Sequence, residues 1–312
     1  MRRQRGVALI TAILLVALAT VLAATIGYEN AMTARRGAAT FAFDQTLQVG
    51  MAAEAIGAFA LRETRQMNPT TTYPAQPWST HYGPIDLIPG VTLEAWLEDA
   101  QGRFNLNNLV NSDGSTNPSA VTVFENLLTI LGIEPKWAPM MADWIDSDTI
   151  PNNPDGAEDS VYLSQMPPYR AANMFITSAS EILALPGFGR DRYVRLAPFV
   201  TALPQGTLVN LCSASAEVLN ALGPTGTTNF SDSQNLAKNR QEACFPTKQD
   251  FDALFSEAPA RQTADGMVTI VSNYFTLTSV VTIGTTQFAL YSLLHQEGDL
   301  RVRPIQRSFT AD

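Results

Sequence analysis

From Val7 to Ile26 the chain is apolar without interruption: no Asp, Glu, Lys, Arg, Asn, Gln, Pro or Gly occurs, and only Thr11, Thr20 and Thr25 carry polar side-chain groups. Such a stretch forms a helix of ~30 Å, enough to cross a bilayer. Arg2, Arg3 and Arg5 precede it, and a positive flank stays on the cytoplasmic side, which sends the C-terminal bulk across the membrane. The helical pattern continues beyond the apolar run. No proline occurs before Pro69, and residues 28–66 are rich in Ala, Met, Leu, Gln, Glu and Arg, all compatible with helix. Phe43, Leu47, Met51, Ala55 and Phe59 recur every four residues and are expected to form one stripe packed on a globular head. Asp44, Gln45, Gln48, Glu54, Arg62 and Glu63 lie largely around that stripe. The pattern predicts one helix over 7–66, on the order of 90 Å long, with a transmembrane first part over 7–28. Gly27, Gly37, Gly50 and Gly57 are expected to weaken it locally. A secretory signal would combine a shorter apolar region of roughly 7–15 residues with a small-residue cleavage site. Leu22-Ala23-Ala24 would serve as one, but the length of the run and its helical continuation favour a helix that is kept.

Beyond the helix the period changes. Residues 68–89 contain Pro69, Pro74, Pro77, Pro84 and Pro89 among polar and aromatic residues and read as a connecting loop. Val91, Leu93, Ala95 and Leu97 alternate with Thr92, Glu94, Trp96 and Glu98, a strand signal. Comparable material returns only at 267–282, 287–295 and 300–305, with breaks at Gly284 and at Glu297-Gly298-Asp299. The economical arrangement is an antiparallel sheet built from 67–104 and 261–312 and packed on the end of the long helix. Between these regions, 105–260 reads mainly as helices, at 119–131, 136–145, 178–185, 191–196, 213–222, 231–243 and 248–255. Ser178 with Glu181 and Ser231 with Gln234 have capping-box spacing. An inserted α-helical domain whose two ends leave neighbouring strands should sit rigidly on the sheet.

Charge narrows the function. The chain carries a formal charge of −9; removal of Arg2, Arg3 and Arg5 leaves 17 basic against 29 acidic residues, a charge of −12. That balance disfavours nucleic acid as a partner, because phosphate neutralisation supplies nonspecific affinity. Leu185-Pro186-Gly187-Phe188-Gly189, followed by Arg190, Arg192 and Arg195, has the look of a helix-hairpin-helix turn, but the acidic surroundings favour a tight turn between packed helices. Cys212 and Cys244, the only cysteines, read either as a disulfide suited to an oxidising compartment or as two buried thiols.

The basic leader ending in Gly6, with Val7 as the new N-terminus of a retained apolar helix, resembles the class III leader of type IV pilins and type II secretion pseudopilins. The resemblance implies cleavage between Gly6 and Val7 by an inner-membrane prepilin peptidase, which then methylates the new amino group. It also implies an α+β, type IV pilin-like fold with the long N-terminal helix packed on an antiparallel sheet. Most members carry Glu at the fifth mature residue, where this chain has Thr11. A lone carboxylate in an apolar helix is costly without a partner, and in the family it is thought to pair with a neighbouring subunit's N-terminal ammonium. Its absence resembles the K-type minor pseudopilin of type II secretion, which also carries a large mainly α-helical insertion. Residues Asp143-Trp144-Ile145-Asp146 with Gly156-Ala157-Glu158-Asp159 and Tyr162, and residues Val209-Asn210-Leu211 before Glu217-Val218-Leu219, are similar to that family's segments. Where the family has Asn-Thr, this chain has Cys212-Ser213, although Ser213 can still cap a helix. The resemblance implies a noncatalytic subunit at the pseudopilus tip, anchored in the bacterial inner membrane with a periplasmic head. Its partners would be other minor pseudopilins, the prepilin peptidase and the inner-membrane assembly platform, with exported substrates and the secretin as further contacts. A type IV pilus minor pilin and a simple membrane-anchored binding protein are the rival readings.

Asp143, Asp146, Asp148, Asp155, Glu158 and Asp159 cluster among Asn152, Asn153, Pro151, Pro154 and Gly156. Hard oxygen ligands on an irregular loop suit Ca²⁺, while a solvated acidic loop is the plain alternative, and the spacing is not that of an EF-hand. The family resemblance implies calcium, with Asp146, Asp148, Glu158 and Asp159 as ligands and Asp143 orienting one of them or adding an oxygen. Carboxylates crowded on one loop do not make a glycosidase pair, and Ser213, His81 and His295 lack the pattern of a hydrolase triad.

Overall fold

A computed structural model describes residues 5–224, 230, 233–298 and 300–310. Arg2 and Arg3 of the expected leader, Ser231 of an expected helix start and Asp299 of an expected turn lie outside the described residues. The helix α1 runs unbroken over Arg5–Met67. Its apolar part is long enough to cross a membrane and is uncovered by the rest of the protein. The hydroxyls of Thr11, Thr20 and Thr25 donate to the carbonyls of Ala8, Val16 and Val21, so their polar groups are satisfied within the helix, as a lipid surrounding requires.

The face that α1 turns to the sheet differs from the expected stripe. Thr46, Gly50, Ala53, Glu54, Gly57, Leu61 and Thr64 are buried, whereas Met51 and Phe59 are 40% and 56% exposed. A repeat of four drifts by ~40° per step against 3.6 residues per turn. The row therefore begins near the sheet, where Phe43 meets Phe288 and Phe309, and ends on the far side. Small residues make up most of the packed face because the backbone comes close. A Cβ at Gly50 would lie 2.6 Å from Leu290 Cδ2, so this glycine serves close approach.

After α1 come β1 (Tyr82–Ile88) and β2 (Val91–Asp99), paired antiparallel. The first of these falls inside the segment expected to be loop. Its Pro84 is tolerated because β1 is the outermost strand, where a missing N–H costs no ladder bond. The insertion then contains β3 (Phe104–Asn105), α2 (Pro118–Ile130), α3 (Trp137–Ile145), α4 (Asp159–Tyr162) and α5 (Arg190–Leu196). It continues through β4 (Val200–Thr201), β5 (Val209–Asn210), α6 (Ala216–Leu222), α7 (Ser233–Asn239), α8 (Lys248–Asp252) and α9 (Ala258–Asp265). Residues Ala179–Ala184 form a 3-10 turn with the Ser178–Glu181 capping box in place. The cap of α6 is Ser215, whose hydroxyl accepts from Val218 N, and not Ser213. The expected strand at 267–282 is split into β6 (Val268–Thr269), parallel to β5, and β7 (Tyr274–Ile283). The strands β8 (Thr286–Gln296) and β9 (Val302–Ser308) complete a five-stranded antiparallel sheet in the order β1-β2-β7-β8-β9.

Among the described residues two hydrophobic cores result. One lies between α1 and the sheet and includes Ala53, Leu61, Trp78, Leu93, Leu97, Phe275, Leu277 and Leu294. The other fills the inserted lobe and includes Phe104, Phe124, Met141, Tyr162, Phe188, Leu219 and Phe251. The insertion leaves from β2 and returns into β7, and these strands are paired from Val91↔Ile283 to Asp99↔Phe275.

At that crossing a polar network joins the lobes. Asp99 accepts from Gln101 N at 2.9 Å, Asn210 Nδ2 at 2.9 Å and Ser272 Oγ at 2.7 Å. Asn210 Nδ2 also donates to Thr72 O, and Gln101 donates to Leu208 O while accepting from Asn273 N. Arg65 at the end of α1 donates to Ser272 O.

A second fixture holds the last strand. Glu54, 5% exposed, accepts from Ser292 Oγ and from Arg307 Nε and Nη2, each at 2.7 Å. Removing one partner of a fully buried ion pair costs ~3–5 kcal/mol; Arg307 is partly exposed and recovers some hydration. Glu54→Ala is therefore expected to cost about 2 kcal/mol and to speed amide exchange in β9 more than in β2. Denaturant titration with hydrogen exchange on the detergent-solubilised chain measures both, and unchanged β9 exchange would remove the clamp from the account.

Candidate metal centre

The acidic loop is built on the end of α3. Asp143, in its last turn, is fully buried, accepting from Asn152 N at 3.1 Å, Ala157 N at 2.6 Å and the Asn152 side-chain amide. These bonds fold residues 152–157 back over the helix end. Gly156 is needed there, since a Cβ would collide with Asn152 and with Asp143 Oδ2. Asp143 thus has its acceptors committed to the loop, and its place is that of an organiser. Burial pushes its carboxyl up and these hydrogen bonds oppose the shift.

With the loop so folded, Asp146, Asp148 and Glu158 offer carboxylate oxygens within 4.8 Å of one another. Asp146 caps the C-terminus of α3, and Glu158 stands at the N-cap of α4. Both are buried, while Asp148 is exposed and accepts from Ile150 N. Among the described residues, Asp146 Oδ1 and both oxygens of Glu158 are buried without a hydrogen-bond partner. Burial, reinforced by Asp143 and Asp148, pushes Asp146 up to about 6. Burial, with Asp143, Asp146, Asp148 and Asp159 nearby, pushes Glu158 up to about 7. Buried, unpartnered carboxylates facing like charge are costly, and a hard divalent cation is the group whose charge and oxygen preference match them.

The remaining acidic residues are placed elsewhere. Asp159 pairs with Arg170 at 3.3 Å and accepts from Ala171 N at 3.2 Å, so its oxygens hold the following loop. Asp155 is exposed. Two supports were not evident from the sequence. Thr116 donates to Asp146 Oδ2 at 3.2 Å and accepts from Asn152 Nδ2. Asn173 donates to Asp148 O at 2.8 Å. Thr116 lies 30 residues from Asp146, and no local pattern marks so distant a contact. Trp144 meets Tyr162 edge to face, and Tyr162 lies tilted against Tyr169.

The other predicted positions are also placed. Cys212 and Cys244 form a disulfide with a Cα–Cα distance of 4.6 Å. Gly6 and Val7 lie within the first turns of α1. The turn at 185–189 buries Phe188 and has positive φ at Gly187 and Gly189. Two of the arginines that follow are used internally: Arg192 binds Glu134 and the carbonyl of Phe188, and Arg195 binds that of Gly132, while Arg190 is exposed.

Known proteins match this arrangement. The family model described as Type II secretion system (T2SS), protein K matches residues 102–205, which contain the acidic loop. A protein of Pseudomonas aeruginosa named Type II secretion system protein K is 32% identical, over 98% of this chain and 93% of its own length. Its namesake in Klebsiella pneumoniae is 32% identical over 95% and 94%. The crystal structure of the GspK-GspI-GspJ complex from the enterotoxigenic Escherichia coli Type 2 Secretion System contains a chain that superposes with a TM-score of 0.77. That match has 25% identity and covers 89% of this chain and 100% of the other. With the long helix, the five-stranded sheet and the inserted lobe all accounted for, the chain belongs to the type II secretion system protein K family.

Proposed function

We propose that this protein is a noncatalytic minor pseudopilin that initiates or caps the type II secretion pseudopilus from its tip, in support of protein export across the outer membrane. The observation that carries the reading is the pairing of an uncovered apolar helix with a bulky lobe inserted at the other end of the molecule. In this reading α1 sits in the inner membrane with the head in the periplasm and later joins the helical bundle of the fibre. The lobe occupies the space a following subunit would need. Thr11 bonds to its own helix at Ala8 O and brings no carboxylate requiring a neighbour's ammonium, which suits a subunit placed first.

The partners are other minor pseudopilins, as the K, I and J subunits are partners in the solved complex, together with the prepilin peptidase and the inner-membrane assembly platform. Exported substrates and the secretin are the further contacts of a head so placed. Affinity purification from native membranes, with mass spectrometry of partners and N-terminus, tests this. A chain starting at methylated Val7 and copurifying with minor pseudopilins is expected; an intact Met1 and no such partner would overturn the reading.

The acidic centre is proposed to hold Ca²⁺ through Asp146, Asp148 and Glu158, with Asp143 shaping the loop. Bound calcium would supply the positive charge that lets these carboxylates stay ionised while buried. Chelation is expected to lower the melting temperature by several degrees, and added calcium to restore it. Glu158→Gln should blunt that response. Unchanged melting after analytically confirmed metal removal would sink the proposal.

The pH dependence has a definite sign. Glu158 and Asp146 titrate higher in the folded chain, at about 7 and about 6, than in an unfolded one. Between those ranges the metal-free folded state binds more protons, so its stability falls as pH rises from 5 to 8. Calcium needs the ionised carboxylates, so its stabilisation should grow over the same interval. Melting curves at pH 5 and pH 8, with calcium and with chelator, check both slopes; a chelator effect as large at pH 5 as at pH 8 would contradict the assignment.

A further inference from the structure

Between Val7 and Leu61 the only cations are Arg35 and Arg36, adjacent on α1. Both are exposed, and among the described residues neither guanidinium has a partner. Their height follows from the apolar run. Residues 7–26 span a hydrocarbon core of ~30 Å, so Ile26 marks its far edge. Arg35 stands about 13 Å beyond that edge at a rise of ~1.5 Å per residue, and the headgroup layer takes up roughly 5–8 Å of the distance. Side chains on a helix lean toward its N-terminus, here toward the bilayer, and a long arginine stem carries its charge back to the level of the phosphates.

The neighbouring residues fit that surface. Tyr28, exposed just past the apolar run, is a residue type that settles at headgroup level, and it lies two turns before Arg35 on the same face. Ala31, Ala34, Gly37 and Ala38 keep the helix slender there, which leaves room for headgroups against it. Glu29 lies two turns before Arg36 and opposes the pair, so two arginines and one glutamate leave a net charge of +1 at this level. We propose that Arg35 and Arg36 bind the phosphates of anionic phospholipids in the leaflet on the head's side, and so set the depth of α1 in the bilayer. A carboxylate of another subunit would also suit a guanidinium, but the height of this pair is fixed by the apolar run beside it. On the opposite side the basic side chains are those of the leader, Arg2, Arg3 and Arg5. Once these are removed, the pair supplies the only basic side chains flanking the run, and the mature helix is held from the side toward which it must leave to join a fibre. The inference rests on the proposed membrane placement of α1.

The test uses the full chain in vesicles of phosphatidylcholine and phosphatidylglycerol, with a fluorophore on Ala31→Cys, the native cysteines being closed in their disulfide. Phosphatidylglycerol carrying a nitroxide near its headgroup should quench the fluorophore roughly fivefold more than phosphatidylcholine so labelled, the share of one net charge. High salt should shrink that ratio. The double variant Arg35→Gln with Arg36→Gln should bring it to one or below, whereas Gln at the leader positions Arg2, Arg3 and Arg5, which face the other leaflet, should leave it unchanged. A fluorophore on Ala17→Cys reads the membrane placement separately, through its shielding from aqueous iodide. Equal quenching by the two lipids with the Ala17 label shielded would overturn the lipid contact alone. An iodide-accessible Ala17 label would overturn the membrane placement, and the contact with it. A double variant that keeps the lipid ratio but loses copurification with minor pseudopilins would assign the pair to protein carboxylates instead.

Discussion

Asp99 is the point at which this molecule's two requirements meet. It ends the strand from which the inserted lobe departs and lies opposite Phe275 on the strand to which the chain returns. Burial raises the proton affinity of its carboxyl, and hydrogen bonds from Ser213, Ser272 and Asn210 act against that shift. Each of those donors comes from the insertion or the returning segment, so the desolvated carboxylate is satisfied only when both are in place. A polar group left unpaired at such a site costs more than a hydrogen bond gains. The junction therefore behaves as a condition on assembly of the two lobes, with Arg65 extending it to the end of α1.

The acidic centre follows a related logic with the sign reversed. At Asp99, protein donors neutralise the burial of one carboxylate. At Asp146 and Glu158, several carboxylates converge and protein donors are few: Thr116 reaches one oxygen of Asp146, and neither oxygen of Glu158 has a partner among the described residues. The protein spends its own donors on Asp143, which shapes the loop. Organiser and receiving groups are thus separated by what they are hydrogen-bonded to, although all are acidic residues in one short segment.

Much of this could be read in the sequence. The apolar run, the absence of proline before Pro69 and the alternation at 91–98 give α1 and β2 directly, because the signals are local and periodic. Local signals mislead where a nearby pattern competes with a distant contact. The four-residue row from Phe43 to Phe59 looks like a packing stripe, but helical drift carries it off the sheet, and the packed face is made largely of small residues such as Gly50 and Ala53, with Glu54 and Leu61 among them. The strand β1 was hidden by prolines that an edge position tolerates. The interruption between β6 and β7 arises because Ser272 and Asn273 bond to Asp99 and Gln101, far away in the chain. In the acidic loop the residue types announced the chemistry. Which carboxylates converge depends on Asn152, Ala157 and Arg170 occupying Asp143 and Asp159, and that follows from folding back and not from spacing.

The pairing of β2 with β7 has an evolutionary consequence. Their register runs unbroken from Val91↔Ile283 to Asp99↔Phe275, so the framework is topologically closed at the point where the lobe is attached. Two neighbouring antiparallel strands need only a short turn between them, and the whole excursion can be regarded as an overgrown hairpin loop. A lineage could lengthen, trim or remodel that loop without moving any strand of the sheet or the face that α1 presents to it. Its freedom is bounded mainly at the stem, where Asp99 requires donors from both sides.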